Sequence, residues 1–370
     1  MDEQIKQFFT NKVVLIAGGT GSIGSELLKT LLQYPVKQIR IFSRDEFKQF
    51  HLQNEFRHLP VGKVRFLIGD IRDRNRVFLA MEGVDIVFNS AAMKHVHLSE
   101  DNPFEAVKTN VIGTQNMIEA ARAADVKHFV QISTDKAAMP ANVMGATKLL
   151  SEKMVVLAEH YRGAHDIVFC AVRFGNVFGS RGSVVPLFME QIEKGGPVTL
   201  THKEMNRFVM SIADAVNLVI KACVLSKGGE LFILKMPVIN MYDLARAMIE
   251  ILAPLHGHDP KKIEIREVGK RPGEKICEAL MREEEAEEAV ENEEMFCLGE
   301  NKPKGFVPCQ SGSYESDRSR CLSYPEVVAL LNHYFKNQVF PHGIAKKKII
   351  SFRPIAVPAG RQEKNKVPSP

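Results

Sequence analysis

Four consecutive residues, Ser133-Thr134-Asp135-Lys136, set a carboxyl and an amine side by side behind two hydroxyls. Such a pair can give and take protons at one centre if its surroundings shift the two pKa values, the Asp upward and the Lys downward. On an open surface the same pair would do nothing, so position matters. It follows an apolar run, His128–Ile132, that reads as a buried strand, and strand C-termini face the ligand crevice in doubly wound sheets. Lys148 stands twelve residues after Lys136, near the start of an amphipathic helix over 144–160 that puts Met144 and Lys148 on one face. A thioether cannot take a proton at neutral pH, so of these two only Lys148 can handle one.

A second motif names a ligand class. Gly18-Gly19-Thr20-Gly21-Ser22-Ile23-Gly24 follows a β-branched run at 12–17 and opens a helical segment at 22–32. In that context Gly18 permits the tight turn, Gly21 leaves a pyrophosphate room at the helix N-terminus, and Gly24 lets helix and strand pack closely. Thr20, Ser22 and Ile23 belong to the same cradle. A free ribose 2′-hydroxyl usually meets an acidic residue after the second strand, whereas this chain has Ser43 and Arg44, with Lys48 one helical turn on. A hydroxyl and two cations suit a 2′-phosphate, so NADP is expected rather than NAD. Asp70 and Ile71 are placed for the adenine edge. Ala91 and Ala92 keep the fourth strand's backbone close to the cofactor, and Thr109 is assigned to the same site.

These groups need a scaffold. Apolar runs at 12–17, 38–42, 64–68, 84–88, 128–132 and 167–172 alternate with helical segments at 22–32, 104–124 and 144–160. That alternation predicts an α/β fold, a Rossmann-like doubly wound parallel sheet. The sheet domain should run over 8–175. A smaller mixed, substrate-binding lobe should occupy most of 176–335, with room for segments that return to the core. The acidic stretch 282–294 reads as a solvated helix face, and the basic, Pro-containing tail 343–370 as peripheral or disordered. The net charge of +5 suits phosphorylated small molecules and gives no sign of nucleic-acid binding. Six scattered cysteines show no zinc spacing, and His95 and His97 have no partners at metal-ligand spacing, so no metal is expected. With no apolar leader or membrane-spanning run, a cytoplasmic protein without a membrane partner is expected.

Together the glycine motif, the strand-end serine and Lys148 resemble the extended short-chain dehydrogenase/reductases. That family has Tyr-x-x-x-Lys where this chain has Met144 and Lys148. Ser43-Arg44-Asp45-Glu46, Ala91-Ala92-Met93-Lys94-His95-Val96, Lys108-Thr109-Asn110, Ser133 to Ala138, Arg173-Phe174-Gly175-Asn176-Val177, Ser180-Arg181-Gly182-Ser183-Val184, Met205-Asn206-Arg207-Phe208 and Arg271-Pro272-Gly273-Glu274-Lys275 occur in this order. The set resembles the UDP-N-acetylglucosamine 4,6-dehydratases of bacterial surface-polysaccharide and flagellin-glycan pathways, over roughly residues 8 to 335. Some members of that family also carry Met at the tyrosine position.

The resemblance implies oxidation at sugar C4, loss of the C5 proton and the C6 hydroxyl, and return of hydride to C6. Asp135 would protonate the leaving hydroxyl, Lys136 would take the C5 proton, and Thr134 would orient the C4 hydroxyl, whose base is left open between Lys136 and Lys148. On the substrate side the resemblance implies Lys94, Asn176, Ser183, Val184, Thr199, Arg207, Met210, Arg271 and Glu274, the arginines as a diphosphate clamp, although Met210 by itself reads as packing rather than chemistry. It also implies a homo-oligomer, dimer or hexamer, built through the helices at 104–124 and 144–160. Retaining members are often long and membrane-anchored, so inversion at C5 is expected here. The alternatives are a retaining dehydratase, a nucleotide-sugar 4-epimerase, which generally keeps the tyrosine and lacks the Asp-Lys pair, and a non-catalytic NADP-binding sensor.

Overall fold

The computed structural model describes residues 1–336. The expected basic tail from Gly343 lies outside the described residues. Six strands form the centre: β1 (Val13–Ala17), β2 (Gln38–Ser43), β3 (Val64–Ile68), β4 (Ile86–Asn89), β5 (His128–Ile132) and β6 (Val168–Arg173). They run parallel in the order β3-β2-β1-β4-β5-β6. All five residues of β1 are buried, as a central strand covered by helices on both faces requires.

The sheet continues past β6. β7 (Glu230–Leu234) adds in parallel, followed in space by β9 (Met295–Leu298), β8 (Val290–Glu291) and β10 (Val307–Pro308), all antiparallel to their neighbours. The helix Ile212–Leu225 packs on Ser22–Leu31 at the sheet's face. The segment after 176 therefore does not form a lobe of its own throughout. ELFIL of β7 is buried at every position and finds cover only inside the main sheet. What remains as a smaller lobe has its own apolar cluster. Phe188, Ile192, Leu244, Met248, Leu252, Val327 and Leu331 meet there from the helices Val184–Glu193, Met241–Leu252 and Tyr324–Lys336.

Three local expectations need correction. The single helix at 104–124 is broken into Pro103–Val107, a π-turn at Lys108–Ile112 and Gly113–Ala123. The widened turn holds Asn110, whose side chain bonds both backbone groups of Met93 and the Thr147 hydroxyl. A helix at Asp2–Phe9, which the sequence pattern did not predict, buries Ile5 and Phe9 in the core. The acidic stretch at 282–294 is not simply a solvated face. Its helix Glu283–Glu288 turns Glu285 inward onto Arg173, and the rest of the stretch feeds β8.

Arg173 closes β6 and is fully buried. Its guanidinium makes five hydrogen bonds, to both carboxylate oxygens of Glu152, both of Glu285 and the Leu280 carbonyl, at 2.5–3.1 Å. Burial alone would raise the Glu285 carboxyl, but Arg173 holds it below its ordinary value. Glu285→Ala would leave a buried cation half unpaired, so it should destabilise the fold by about 3–5 kcal/mol, read as a lower denaturant midpoint. The contribution of Glu285 is present above the unfolded carboxyl's pKa, about 4.3, and is lost as pH falls through the lower folded value.

Candidate active site

A cleft of about 830 Å³ opens at the C-terminal ends of the central strands. Its first half is the glycine cradle. Gly18 has φ +71°, and a side chain there would strike the Ala91 backbone at 2.7 Å. A Cβ on Gly24 would meet the Gly18 carbonyl at 2.5 Å, so strand, turn and helix approach as closely as the motif requires. Gly21 caps Ser22–Leu31 without a side-chain bond, which leaves the first-turn N–H groups to an anion. This cradle fits a dinucleotide pyrophosphate.

Ser43 and Thr20 share a 2.8 Å hydrogen bond that ties the end of β2 to the cradle. Arg44 lies 3.6 Å from Asp70 with most of its side chain exposed, and Lys48 is paired with Asp45. Asp70 is also held by Arg72, and Ile71 packs under Gly113. Ala91, Ala92, Thr109, Ile23 and Lys48 all line this half of the cleft.

At the other half Thr134, Lys136, Met144 and Lys148 line the cleft, and Asp135 lies buried outside the lining. β5 ends at Ile132, and a short 3-10 turn at Asp135–Ala137 follows. Asp135 is buried, and its Oδ1 accepts from the Thr134 hydroxyl at 2.7 Å, the Lys136 N–H at 3.0 Å and the Lys136 amine at 3.0 Å, while Oδ2 is buried without a partner. Lys148 and Met144 rise from the helix Val143–Leu157 and are both nearly inaccessible. Lys148 donates to the Ile132 carbonyl at 2.5 Å, and burial lowers its pKa to about 8. Lys136 runs against expectation. Burial pulls its pKa down, but the carboxylates of Asp135 and Glu278 outweigh burial and hold it above the ordinary lysine value.

The substrate-side candidates divide. Lys94, Asn176 and Ser183 line the cleft, and Lys94 donates to the Arg181 carbonyl at 2.6 Å. Burial and the nearby Arg181 lower the Lys94 pKa. Arg207 does not present a free fork to a diphosphate. Its donors are spent on the carbonyls of Asn206, Lys275 and Ile276, so it holds the 275–276 backbone beside Lys136. Met210 is a buried core residue, and Thr199 is bonded to Gln191 away from the cleft lining. Val184 begins the helix behind Ser183. Arg271 and Glu274 lie outside the lining, in a turn closed by the Glu274 carboxylate on the Arg271 N–H at 3.2 Å. That turn docks on the catalytic helix, where Asn142, its N-cap, donates to the Gly273 carbonyl at 2.8 Å.

Sequence reasoning missed three functional groups. Arg181 reaches across from the second lobe to the Thr20 carbonyl, and its own N–H donates to Ser22 Oγ at 3.1 Å, so the 180–183 loop lies over the cradle. Glu152 accepts from Ser133 at 2.5 Å and from Arg173. Glu278 lies 3.7 Å from Lys136. Arg181 could have been found, since it sits inside a quoted motif with cationic chemistry. The other two carry no local signal. Among the described residues no group of His, Cys, Asp and Glu is arranged to hold a metal.

Known proteins place this architecture. The family model described as polysaccharide biosynthesis protein matches residues 14–300. An uncharacterized membrane protein of Methanocaldococcus jannaschii is 55% identical over 80% of this chain and 89% of its own. A UDP-N-acetylglucosamine 4,6-dehydratase (inverting) of Campylobacter jejuni is 38% identical over 88% of this chain and 98% of its own. A UDP-glucose 4-epimerase of Rickettsia canadensis is 39% identical over 87% and 96%. The X-ray structure of Pen from Bacillus thuringiensis matches with a TM-score of 0.84 at 47% identity, over 90% of this chain and 100% of its own. DesIV, a dTDP-glucose 4,6-dehydratase of Streptomyces venezuelae solved with NAD, shares the fold at a TM-score of 0.62 and 23% identity, over 71% and 86%. Among the described residues no helix is long and apolar enough to cross a membrane. With most of its length matched and its cradle, strand order and cleft in place, the chain belongs to the polysaccharide biosynthesis protein family.

Proposed function

We propose that this protein is an NADP-dependent UDP-N-acetylglucosamine 4,6-dehydratase that inverts C5. The observation that carries the reading is that Thr134 and Lys136 line the cleft together with the glycine cradle and Lys148, while Asp135, buried directly beside them, bonds to both. A nicotinamide bound there would supply the oxidation at C4 and the hydride return at C6. The chain's own residues do the rest. Thr134 orients the C4 hydroxyl. Lys148, brought near neutrality by burial, receives its proton in place of the missing tyrosine. Lys136 takes the C5 proton, made acidic by the C4 ketone, and Asp135 in its protonated form gives its proton to the departing C6 oxygen; Lys136 then returns a proton to Asp135 across their 3.0 Å hydrogen bond, so the pair is restored. Relatedness to an inverting dehydratase supports the stereochemistry.

Relatives named UDP-glucose 4-epimerase favour a second reading, C4 epimerisation on the same site. That reaction needs no acid at C6 and no base at C5, which leaves Asp135 and Lys136 without a task. Incubation with UDP-N-acetylglucosamine decides by product. A 4-keto-6-deoxy sugar supports dehydration, and a C4 epimer overturns it. Lys136→Ala should abolish solvent exchange at C5 along with net product. Asp135→Asn should lower the rate by about 10²–10⁴-fold, the worth of a general acid. Met144→Ala should cost far less than either. Loss of activity in Met144→Ala with full activity in Asp135→Asn would refute these roles.

Arg44, Lys48 and Ser43 support the preference for NADP, and Arg181 adds a cation near Asp45. The protein should bind NADP more tightly than NAD by calorimetry, and Arg44→Asp should erase or reverse the difference. Equal affinities in the unmodified protein would refute the preference.

A homo-oligomer, dimer or hexamer, is part of the same proposal. The helices at Val96–Asp101, Pro103–Val107 and Val143–Leu157 pack together, and they and the adjoining π-turn leave Leu98, Phe104, Val107, Ile112, Leu150 and Leu157 exposed. Phe104 alone is 78% exposed, which water tolerates poorly in such company. Phe104→Glu with Leu150→Glu should dissociate the assembly in light scattering. A monomer before substitution would refute it.

A further inference from the structure

We propose that Glu278 is the positioning and proton-accepting partner of Lys136. The proposal rests on the reading of Lys136 as the C5 base, but the pairing can be tested without turnover. The Lys136 amine lies between two carboxylates, Asp135 Oδ1 at 3.0 Å and Glu278 Oε1 at 3.7 Å. They are not equivalent. Asp135 Oδ1 already takes three donors from its own turn, whereas no hydrogen bond to the Glu278 carboxylate accompanies its ion pair with Lys136, and its Oε2 is buried without a partner.

Glu278 is also fixed in place. Its N–H donates to the Ser316 hydroxyl at 2.9 Å, and its carbonyl accepts from the Ser316 N–H at 2.9 Å. Arg207 clamps the preceding carbonyls of Lys275 and Ile276. The charged groups facing the pair are Asp135, Arg207 and Lys275. Burial raises the Glu278 carboxyl above its ordinary value, which prepares it to receive a proton.

This arrangement resolves a conflict in the proposed chemistry. A base must be neutral, yet the site holds Lys136 charged. When a sugar displaces water from the cleft, the ion pair becomes costlier than a neutral pair. One ammonium N–H bond then breaks and one O–H bond forms on Glu278. The net charge of the pair stays zero, and the freed amine lone pair accepts the C5 proton.

The test is competitive acetylation of the full-length protein with trace acetic anhydride across a pH series. Lys136 is followed by peptide mass spectrometry, with exposed Lys37 as the internal reference. In the unmodified protein Lys136 should become reactive at higher pH than Lys37. In Glu278→Gln its midpoint should fall by about one pH unit or more, because a facing charge is lost at close range. Glu278→Asp should lie between. With UDP-N-acetylglucosamine, Glu278→Gln should lower kcat by about 10²-fold, with KM changed only a few-fold and kcat partly restored in Glu278→Asp. A Lys136 midpoint that matches Lys37 in the unmodified protein, or that does not move in folded Glu278→Gln, overturns the proposal, as does an unaltered kcat. A moved midpoint in a protein that makes no 4-keto-6-deoxy product supports the pairing and refutes the dehydratase reading instead.

Discussion

The turn that carries the proposed acid and base is anchored on one buried cation. A guanidinium taken fully out of water is tolerable only when every N–H is bonded, and Arg173 meets that condition with five bonds. Its partners come from three places: Glu152 on the catalytic helix, Glu285 on the acidic helix and the Leu280 carbonyl beside it. Moving any one of them breaks a charged bond in a dry interior. Glu152 then passes the constraint on by accepting from Ser133, the residue directly before Thr134-Asp135-Lys136. The proposed acid–base turn is therefore held from below by a network that meets the cleft only at Ser133.

The same constraint explains why the late segments return to the first domain. Because Glu285 must reach Arg173, the chain before it is drawn back against the 135–137 turn. Residues 273–281 run past the Asn142 cap, past Arg207 and past Lys136, and place Glu278 as they go. The strands that follow complete the sheet beyond β7. Two lobes with a clean boundary near 175 could not build this site. It needs a strand end from the first half and a carboxylate from the second.

The sequence showed what is local. Continuous β-branched runs gave the central strands within a residue or two, and the glycine spacing gave the cradle, because strand burial and tight turns are decided by neighbours in the chain. The positions of Lys136 and Lys148 on the cleft were legible for the same reason, since a strand end and a helix face fix where they point, whereas the burial of Asp135 outside the lining was not. Arg173 with Glu285, and Lys136 with Glu278, were not legible. An ion pair between distant segments leaves no period and no motif, and an acidic run looks solvated until its one inward carboxylate is seen. Arg207 shows the opposite failure. Its motif suggested an anion clamp, but a motif names a donor and not the acceptor, and here the acceptors are backbone carbonyls.

Met144 is the remaining departure, and the geometry suggests why it is tolerable. A tyrosine at this position would serve one proton, that of the C4 hydroxyl. Met144 is buried, so it can still fill the wall of the cleft, while the amine four residues on sits in the same dry environment. Lys148 has no carboxylate bonded to it, only the Ile132 carbonyl, and burial is the larger influence on it, with Glu152 a weaker opposing one. Lys136, a short distance away, is flanked by two carboxylates and is shifted the other way. One fold thus offers two lysines of opposite character at one site. The amine near neutrality can take a proton without help, and the charged one needs a carboxylate to relieve it. In the proposed reaction the alcohol oxidation and the carbon deprotonation place different demands on a base, and this division would give each step its own.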